Sequence, residues 1–242
     1  MAWRFIDDSA LTAPFALALE ETALLSVLHS GVPIVRIWEW SEDSVTIGRF
    51  QSLSGEVDLI QAQRMGVRTV RRMSGGGAVY HGAGDELCIS IIMPSESKRH
   101  GCAGVCGHVT KMLCSAGVNA EYLPPTTVLC RNRKVSGSSR WLHSGVSLHH
   151  ATILYSPDRC AMTSLLKALW GPTDSQVPSV AMDVTGVCEH TDLSFKELVA
   201  HACSYLHDSL CAEKSFWSTK ELGMAKNLEK EKYSSDAWNT RY

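Results

Sequence analysis

The chain has 242 residues, 45% of them hydrophobic and 20% charged, with a formal net charge of −2. That length buries a substantial core, and the balanced charge gives no electrostatic reason to expect nucleic acid or an anionic membrane as partner. No apolar run approaches the span of a bilayer, and the N-terminus turns acidic at Asp7-Asp8 where a signal peptide would turn apolar, so a cytoplasmic protein is expected.

In chain order, Thr12 stands as an N-cap for a helix over about 14–29, with Pro14 early and Gly31 past its end. Residues 33–40 and 44–49 read as strands joined by a polar turn, which predicts an antiparallel pair. A short amphipathic helix over 57–65 stops at Gly66, and a strand over 68–72 runs into the glycine triplet Gly75-Gly76-Gly77. Strand signals resume at 78–80 and 87–93. After a polar stretch behind Pro94, a helix is expected over about 103–116. Strands over 127–130 and 135–138 flank the turn 131–133, and residues 145–155 form a further strand. Helices follow at about 160–170, 194–211 and 219–231. Strands dominate the first two-thirds and helices the last third, so the fold class is α+β.

Nine cysteines, at 88, 102, 106, 114, 130, 160, 188, 203 and 211, are odd in number and scattered, unlike a disulfide framework. Cys102 and Cys106 lie four apart with His108 nearby, but no Cys-x-x-Cys pair exists, so no metal site is assigned and the thiols read as small hydrophobes.

The chemistry-bearing stretch is Arg71-Arg72-Met73-Ser74-Gly75-Gly76-Gly77-Ala78-Val79-Tyr80-His81. Residues without Cβ let backbone approach a ligand closely, and adjacent guanidinium groups suit a carboxylate or phosphate. Strand alternation turns one arginine of the pair inward, and Arg72 is the better placed. A P-loop would require a lysine after the glycines and a dinucleotide fingerprint a following helix; this stretch has neither. Two further motifs follow: Arg133-Lys134-Val135-Ser136-Gly137-Ser138 and His149-His150-Ala151-Thr152-Ile153-Leu154.

Together the three motifs resemble those of the lipoate–protein ligase branch of the biotin/lipoate ligase superfamily: Arg-Arg-x-Ser-Gly-Gly-Gly-Ala-Val, Lys-(Ile/Val)-(Ser/Ala)-Gly-(Ser/Thr) and His-His-Gly-(Thr/Ser)-(Ile/Leu)-Leu. Lesser matches at Gly48-Arg49-Phe50-Gln51, Pro178-Ser179-Val180 and 232–239 extend the likeness over roughly residues 30–239. The resemblance implies a mixed, mainly antiparallel sheet flanked by helices. It implies ATP-dependent activation of lipoic acid to lipoyl-AMP, then transfer to a lysine of a lipoyl domain. Expected acceptors are the E2 subunits of 2-oxoacid dehydrogenases or the glycine-cleavage H protein. One catalytic domain over 1–242 is expected, without the additional C-terminal domain of longer ligases; a separate accessory chain is a further possible partner.

Lys134 then becomes the catalytic cation between carboxylate and α-phosphate, although a lone lysine is usually a solvated surface group. Arg72, Ser74, Gly75, Gly76, Gly77, Val79 and His81 are expected on one wall, with Gly137, Ser138, His149 and Thr152 on the other. Of His149 and His150, one faces the pocket and the other the back of the sheet.

The chain departs from the family at Pro124-Pro125-Thr126-Thr127, where ligases carry a polar Asn-Asp pair that helps hold ATP and Mg²⁺; threonines supply no carboxylate. This keeps two alternatives: an octanoyltransferase working from acyl carrier protein through a cysteine thioester, and a non-catalytic module binding lipoyl domains or lipoate. A transferase nucleophile would fall near Asn119, with Cys114 five residues away and Cys130 too close to the lysine.

Overall fold

The computed structural model describes residues 3–95 and 102–242, with the side chains of Cys102 and Ala103 outside the description. The elements are β1 (Trp3–Leu11), α1 (Ala13–Ser30), β2 (Ile34–Trp40), β3 (Ser44–Ile47), α2 (Leu53–Glu56), α3 (Leu59–Met65), β4 (Arg68–Arg71), β5 (Val79–His81) and β6 (Glu86–Pro94). They continue as α4 (Cys102–Ser115), β7 (Ala120–Leu123), β8 (Thr127–Cys130), β9 (Arg133–His143), β10 (Val146–Leu154), α5 (Arg159–Leu165), α6 (Phe195–Leu210), β11 (Ala212–Lys214), α7 (Thr219–Leu228) and α8 (Asp236–Asn239).

Eight strands form one sheet in the order β11-β1-β2-β6-β10-β9-β8-β7, and β4-β3-β5 form a second, small sheet. The large sheet is parallel at β11-β1-β2 and antiparallel elsewhere. One face packs on α4 and α6 through Val35, Ile89, Ile91, Val109, Met112 and Leu198. The other carries α1, whose Leu17 and Leu19 pack against Trp38 and Trp40. This is the mixed, mainly antiparallel architecture flanked by helices that the resemblance implies.

Strands 33–40 and 44–49 do not form the expected hairpin. Tight hairpins want residues at positive φ, which Ser41-Glu42-Asp43 do not provide. The chain instead leaves β2 for the small sheet, where β3 pairs with β4 and β5. Elsewhere the turn chemistry holds: Arg131-Asn132 and Ser144-Gly145, all at positive φ, close β8-β9 and β9-β10. Thr12 occupies the N-cap of α1 without a side-chain bond; the Glu42 carboxylate accepts from Ala13 N at 3.1 Å instead. The helix expected over 57–65 begins at Leu59, capped by Asp58, with α2 as a separate turn before it. The polar stretch behind Pro94 continues at 96–101, outside the described residues.

The two sheets meet at the functional motifs. From β4 the chain arches over the end of β3 and returns in β5, so the glycine triplet forms the arch. A Cβ at Gly48 would stand 2.1 Å from the Gly76 carbonyl oxygen, so the end of β3 can touch this arch only through glycine.

Candidate active site

Cross-strand register builds the floor. Trp38, Cys88, Thr152 and Gly137 lie side by side across β2, β6, β10 and β9; the next row on that face is Arg36, Ser90, His150 and Ser139. Above this floor lies a cavity of about 420 Å³, walled by the glycine arch, α1 and the segment 166–184. Its lining is mainly apolar, Leu17, Trp40, Leu154 and Met162 among it, with a few convergent polar groups.

Lys134 borders this cavity. A β-bulge in β9 opposite Val128-Leu129 re-aims the strand there. Its backbone is pinned on both sides, Lys134 N donating to Asp183 O at 2.8 Å and Thr185 N to Lys134 O at 2.9 Å. The side chain is half-buried and has no salt-bridge partner among the described residues. Burial first, and then the neighbouring Arg72 charge, push its ammonium pKa below the ordinary value. A cation held without its own anion is suited to receive one.

The two adjacent arginines divide labour. Arg72 borders the cavity, and its guanidinium donates to Thr46 O and Oγ1 at 3.1 Å, Gly75 O at 2.8 Å and Gly77 O at 2.6 Å, clamping the arch. Burial lowers its pKa to about 10. Arg71 turns away and binds five carbonyls, of Gly48, Arg49, Gln51, Trp238 and Asn239, tying the C-terminal segment to the 48–51 loop.

Of the remaining expected wall residues, Gly76, Gly77, Val79, His81, Gly137, Ser138 and Thr152 border the cavity, while Ser74 and Gly75 lie behind it. His81 is buried, bonded through Nε2 to Thr46 Oγ1 at 2.9 Å and through Nδ1 to Glu86, and its ring stacks on Trp40. The assignment of His149 to the pocket requires correction. Strand alternation sends His149 to the opposite face of β10, and His150 borders the cavity. Ser139, opposite His150 and donating to Gly75 O at 2.8 Å, was missed, although its spacing of two from Gly137 carries the signal. Glu20, Thr46 and Glu56 were missed too, since nothing local ties them to the motifs; Ser179 lies in the lesser match Pro178-Ser179-Val180 without having been assigned to the site.

The segment 177–184 is latched to the arch. Ser179 Oγ accepts from Ala78 N at 2.8 Å and from Gln51 Nε2 at 3.1 Å, and donates to the buried Glu56 carboxylate. Glu56 also accepts from Thr173 Oγ1 and Ser179 N. It is the carboxylate among the described lining residues, and these donors occupy it. Thr126 and Thr127 line the cavity opposite and offer no carboxylate. The donor set therefore does not fit a protein-held Mg²⁺, which prefers free carboxylate oxygens, and no step below runs through a metal. No group of three or more His, Cys, Asp or Glu able to hold a metal occurs among the described residues.

Cys88 is the thiol that borders the cavity among the described residues. Burial and then the Glu86 charge push its pKa well up, the direction opposite to that of a nucleophile. Cys114 is exposed, its Sγ 3.4 Å from Ala120 O, and does not border the cavity. No described helix is long and apolar enough to cross a membrane.

The chain is similar to known proteins in sequence and in fold. A probable lipoate-protein ligase A of Mycoplasma pneumoniae is 29% identical over 240 residues, covering 97% of this chain and 70% of the relative. An octanoyltransferase LipM of Brevibacillus brevis is 27% identical over 279 residues, covering 99% of each. The crystal structure of a lipoate-protein ligase A bound with ATP superposes with a TM-score of 0.82 at 25% identity, covering 99% of both chains. Residues 12–206, which include the glycine arch, Lys134 and His150, match the lipoyl protein ligase A/B catalytic domain, and the chain belongs to that family.

Proposed function

We propose that the protein is an ATP-dependent lipoate–protein ligase. The observation that carries this reading is the Lys134 ammonium, desolvated, without a carboxylate partner among the described residues, and bordering a mainly apolar cavity. The slender tail of a lipoate-type acid fits over the Trp38-Cys88-Thr152 row, with its carboxylate toward Lys134. A carboxylate oxygen attacks the α-phosphorus of ATP, the bond to pyrophosphate breaks, and an acyl-adenylate forms. Lys134 and Arg72 supply the positive field in which these anions meet, and charge developing on the bridging oxygens is stabilised by the nearer ammonium. The ε-amine of a lysine on a lipoyl domain then attacks the carbonyl carbon, the acyl–phosphate C–O bond breaks, and AMP leaves.

Similarity to the octanoyltransferase keeps thioester chemistry in view, because both kinds of relative match most of the chain. That route needs a thiolate at the cavity, and the thiol bordering it is held protonated by its surroundings. The thiol chemistry therefore weighs toward the adenylate route. The test is incubation with lipoate, ATP and a lipoyl domain, with and without an accessory chain. Pyrophosphate release that depends on lipoate, with lipoylation of the domain, is the expected result. Octanoyl transfer from acyl carrier protein through an alkylation-sensitive thiol, without pyrophosphate, would replace this reading.

A further inference from the structure

The ligase reading leaves one step without an assigned residue. As the acceptor amine bonds to the acyl carbon it must shed a proton, and something must take it. We propose that His150 takes this proton at Nε2, oriented for the task by the buried carboxylate of Glu20. This rests on the ligase reading, whose second step it completes.

The other titratable groups bordering the cavity are unsuited. Glu56 is occupied by Ser179 and Thr173. His81 is bonded as His150 is, to a carboxylate, Glu86, and a hydroxyl, Thr46 Oγ1, but its side chain retains only 4% exposure and that hydroxyl is also held by Arg72. Burial raises the pKa of Tyr80 and of Cys88, so each keeps its proton. Arg72 and Lys134 act as cations. His150 remains. Its Nδ1 lies 2.9 Å from Glu20 Oε2, and the other Glu20 oxygen accepts from Arg36 Nη1 at 3.0 Å. Glu20 is fully enclosed, yet the His150 and Arg36 contacts outweigh that burial and hold its pKa below the ordinary value. An anion can only accept, so in the neutral ring Nδ1 carries the hydrogen and Nε2 presents its lone pair. The resting partner of Nε2 is Ser74 Oγ at 2.7 Å, a hydroxyl that can swing away about one bond.

Position agrees with role. His150 and Thr152 stand on one face of β10, two residues apart, a step of about 7 Å. Thr152 pairs with Gly137, over which the Lys134 side chain folds, so base and cation share one floor. The side chain of His150 retains 15% exposure, whereas Ser74 is 2% exposed, so the ring rather than the hydroxyl meets an incoming amine. The N–C bond forms, the C–O bond to phosphate breaks with its electron pair leaving on AMP, and the proton becomes that of an imidazolium facing Glu20. The imidazolium later returns it to water.

Several charges face this ring. Glu20 comes from α1 and Arg72 from the arch, with Arg36 behind Glu20 on β2. Glu21, bonded to Lys232 and Tyr233, borders the small space behind Ser74. Lys134 lies along the floor, and His149 is adjacent on β10 but on the opposite face.

The test supplies synthetic lipoyl-AMP and a lipoyl domain, so transfer is read without the first half-reaction, which is followed separately by pyrophosphate release. His150→Gln is expected to slow transfer by about 10²–10⁴-fold and to remove the acidic limb of its pH profile. Adenylate formation should fall far less than transfer, because general-base catalysis belongs to the transfer step alone. Glu20→Gln keeps an acceptor but removes the charge, so the acidic limb should move to lower pH while the maximal rate falls. Ser74→Ala, which removes only the resting partner, should slow transfer far less than His150→Gln. Transfer by His150→Gln at the wild-type rate and pH profile overturns the proposal. So does a parallel loss of both half-reactions, or a Ser74→Ala loss as deep as that of His150→Gln in a folded protein. Absence of adenylate formation in the wild type would sink the ligase reading alone, because transfer from supplied lipoyl-AMP would still report on His150.

Discussion

A Cβ at Gly137 would lie 2.6 Å from Cε and 2.7 Å from Nζ of Lys134, so the ammonium occupies the space that any other residue at 137 would fill. Apart from residues 136–138 themselves, nothing else among the described residues lies within 4 Å of that position. A side chain there would push away the flexible end of the lysine and leave the strand intact. Gly137→Ala is therefore expected to lower adenylate formation at least tenfold while costing no more than about 1 kcal/mol of stability. Pyrophosphate release and thermal unfolding of the same preparation check this, and a large loss of stability would contradict it.

Lys134 itself carries a linked expectation. Its folded pKa lies below the 10.5 of the free side chain, so between those two values the unfolded chain binds more protons and stability rises with pH. At neutral pH the buried charge is a net cost. Lys134→Met should abolish adenylate formation and raise stability by about 0.5–2 kcal/mol, the usual pattern where a strained site serves activity. Equal or lower melting temperature in the variant would show that the ammonium is not held against its preference.

Gly77 and Ser179 set the third expectation. A Cβ at Gly77 would meet Ser179 Oγ at 2.9 Å and Cα at 3.2 Å, and this time backbone cannot yield cheaply. Gly77→Ala should push the 177–184 segment off the arch and break the bonds from Ala78 N and to Glu56. The expected result is a rise in the KM for lipoate and ATP with a smaller change in kcat. Glu56→Ala, which leaves Ser179 and Thr173 without their acceptor, should add a stability loss of about 1–3 kcal/mol.

Sequence reading went furthest where chemistry is local. The arch, Lys134 and Gly137 lie within short motifs, and most helices lie where periodicity and caps placed them. It failed where partners are distant. β1 was not read as a strand because Asp7-Asp8 interrupts its apolar pattern; in the fold Asp8 accepts from Arg36 and from Trp217 Nε1. β11, three residues long, carries no pattern at all. Glu20 looks like half of a Glu20-Glu21 pair in an otherwise apolar helix until the sheet brings His150, 130 residues away, against it. The histidine pair was legible as an alternation, but which member faced inward depended on the register of β10 against β6 and β9.

The outward member, His149, predicts acid sensitivity. It is 1% exposed, neither ring nitrogen finds a hydrogen-bond partner among the described residues, and burial, with the nearby His150 and Arg140 charges, lowers its pKa to about 3. The native ring stays neutral where the unfolded ring, titrating near 6.5, takes a proton. Between these values the unfolded state binds more protons, so stability is complete above pH 6.5 and is lost as pH falls toward 3. By pH 5 the loss attributable to this ring is about 2 kcal/mol. His149→Leu fills the same apolar space with nothing to titrate, so its stability should fall less between pH 7 and 5, by about that amount. Denaturant unfolding at the two pH values measures the difference. Parallel losses in wild type and variant would mean that acid sensitivity arises elsewhere, with the carboxylates of Glu20 and Glu221, both held below their ordinary pKa, the next groups to test.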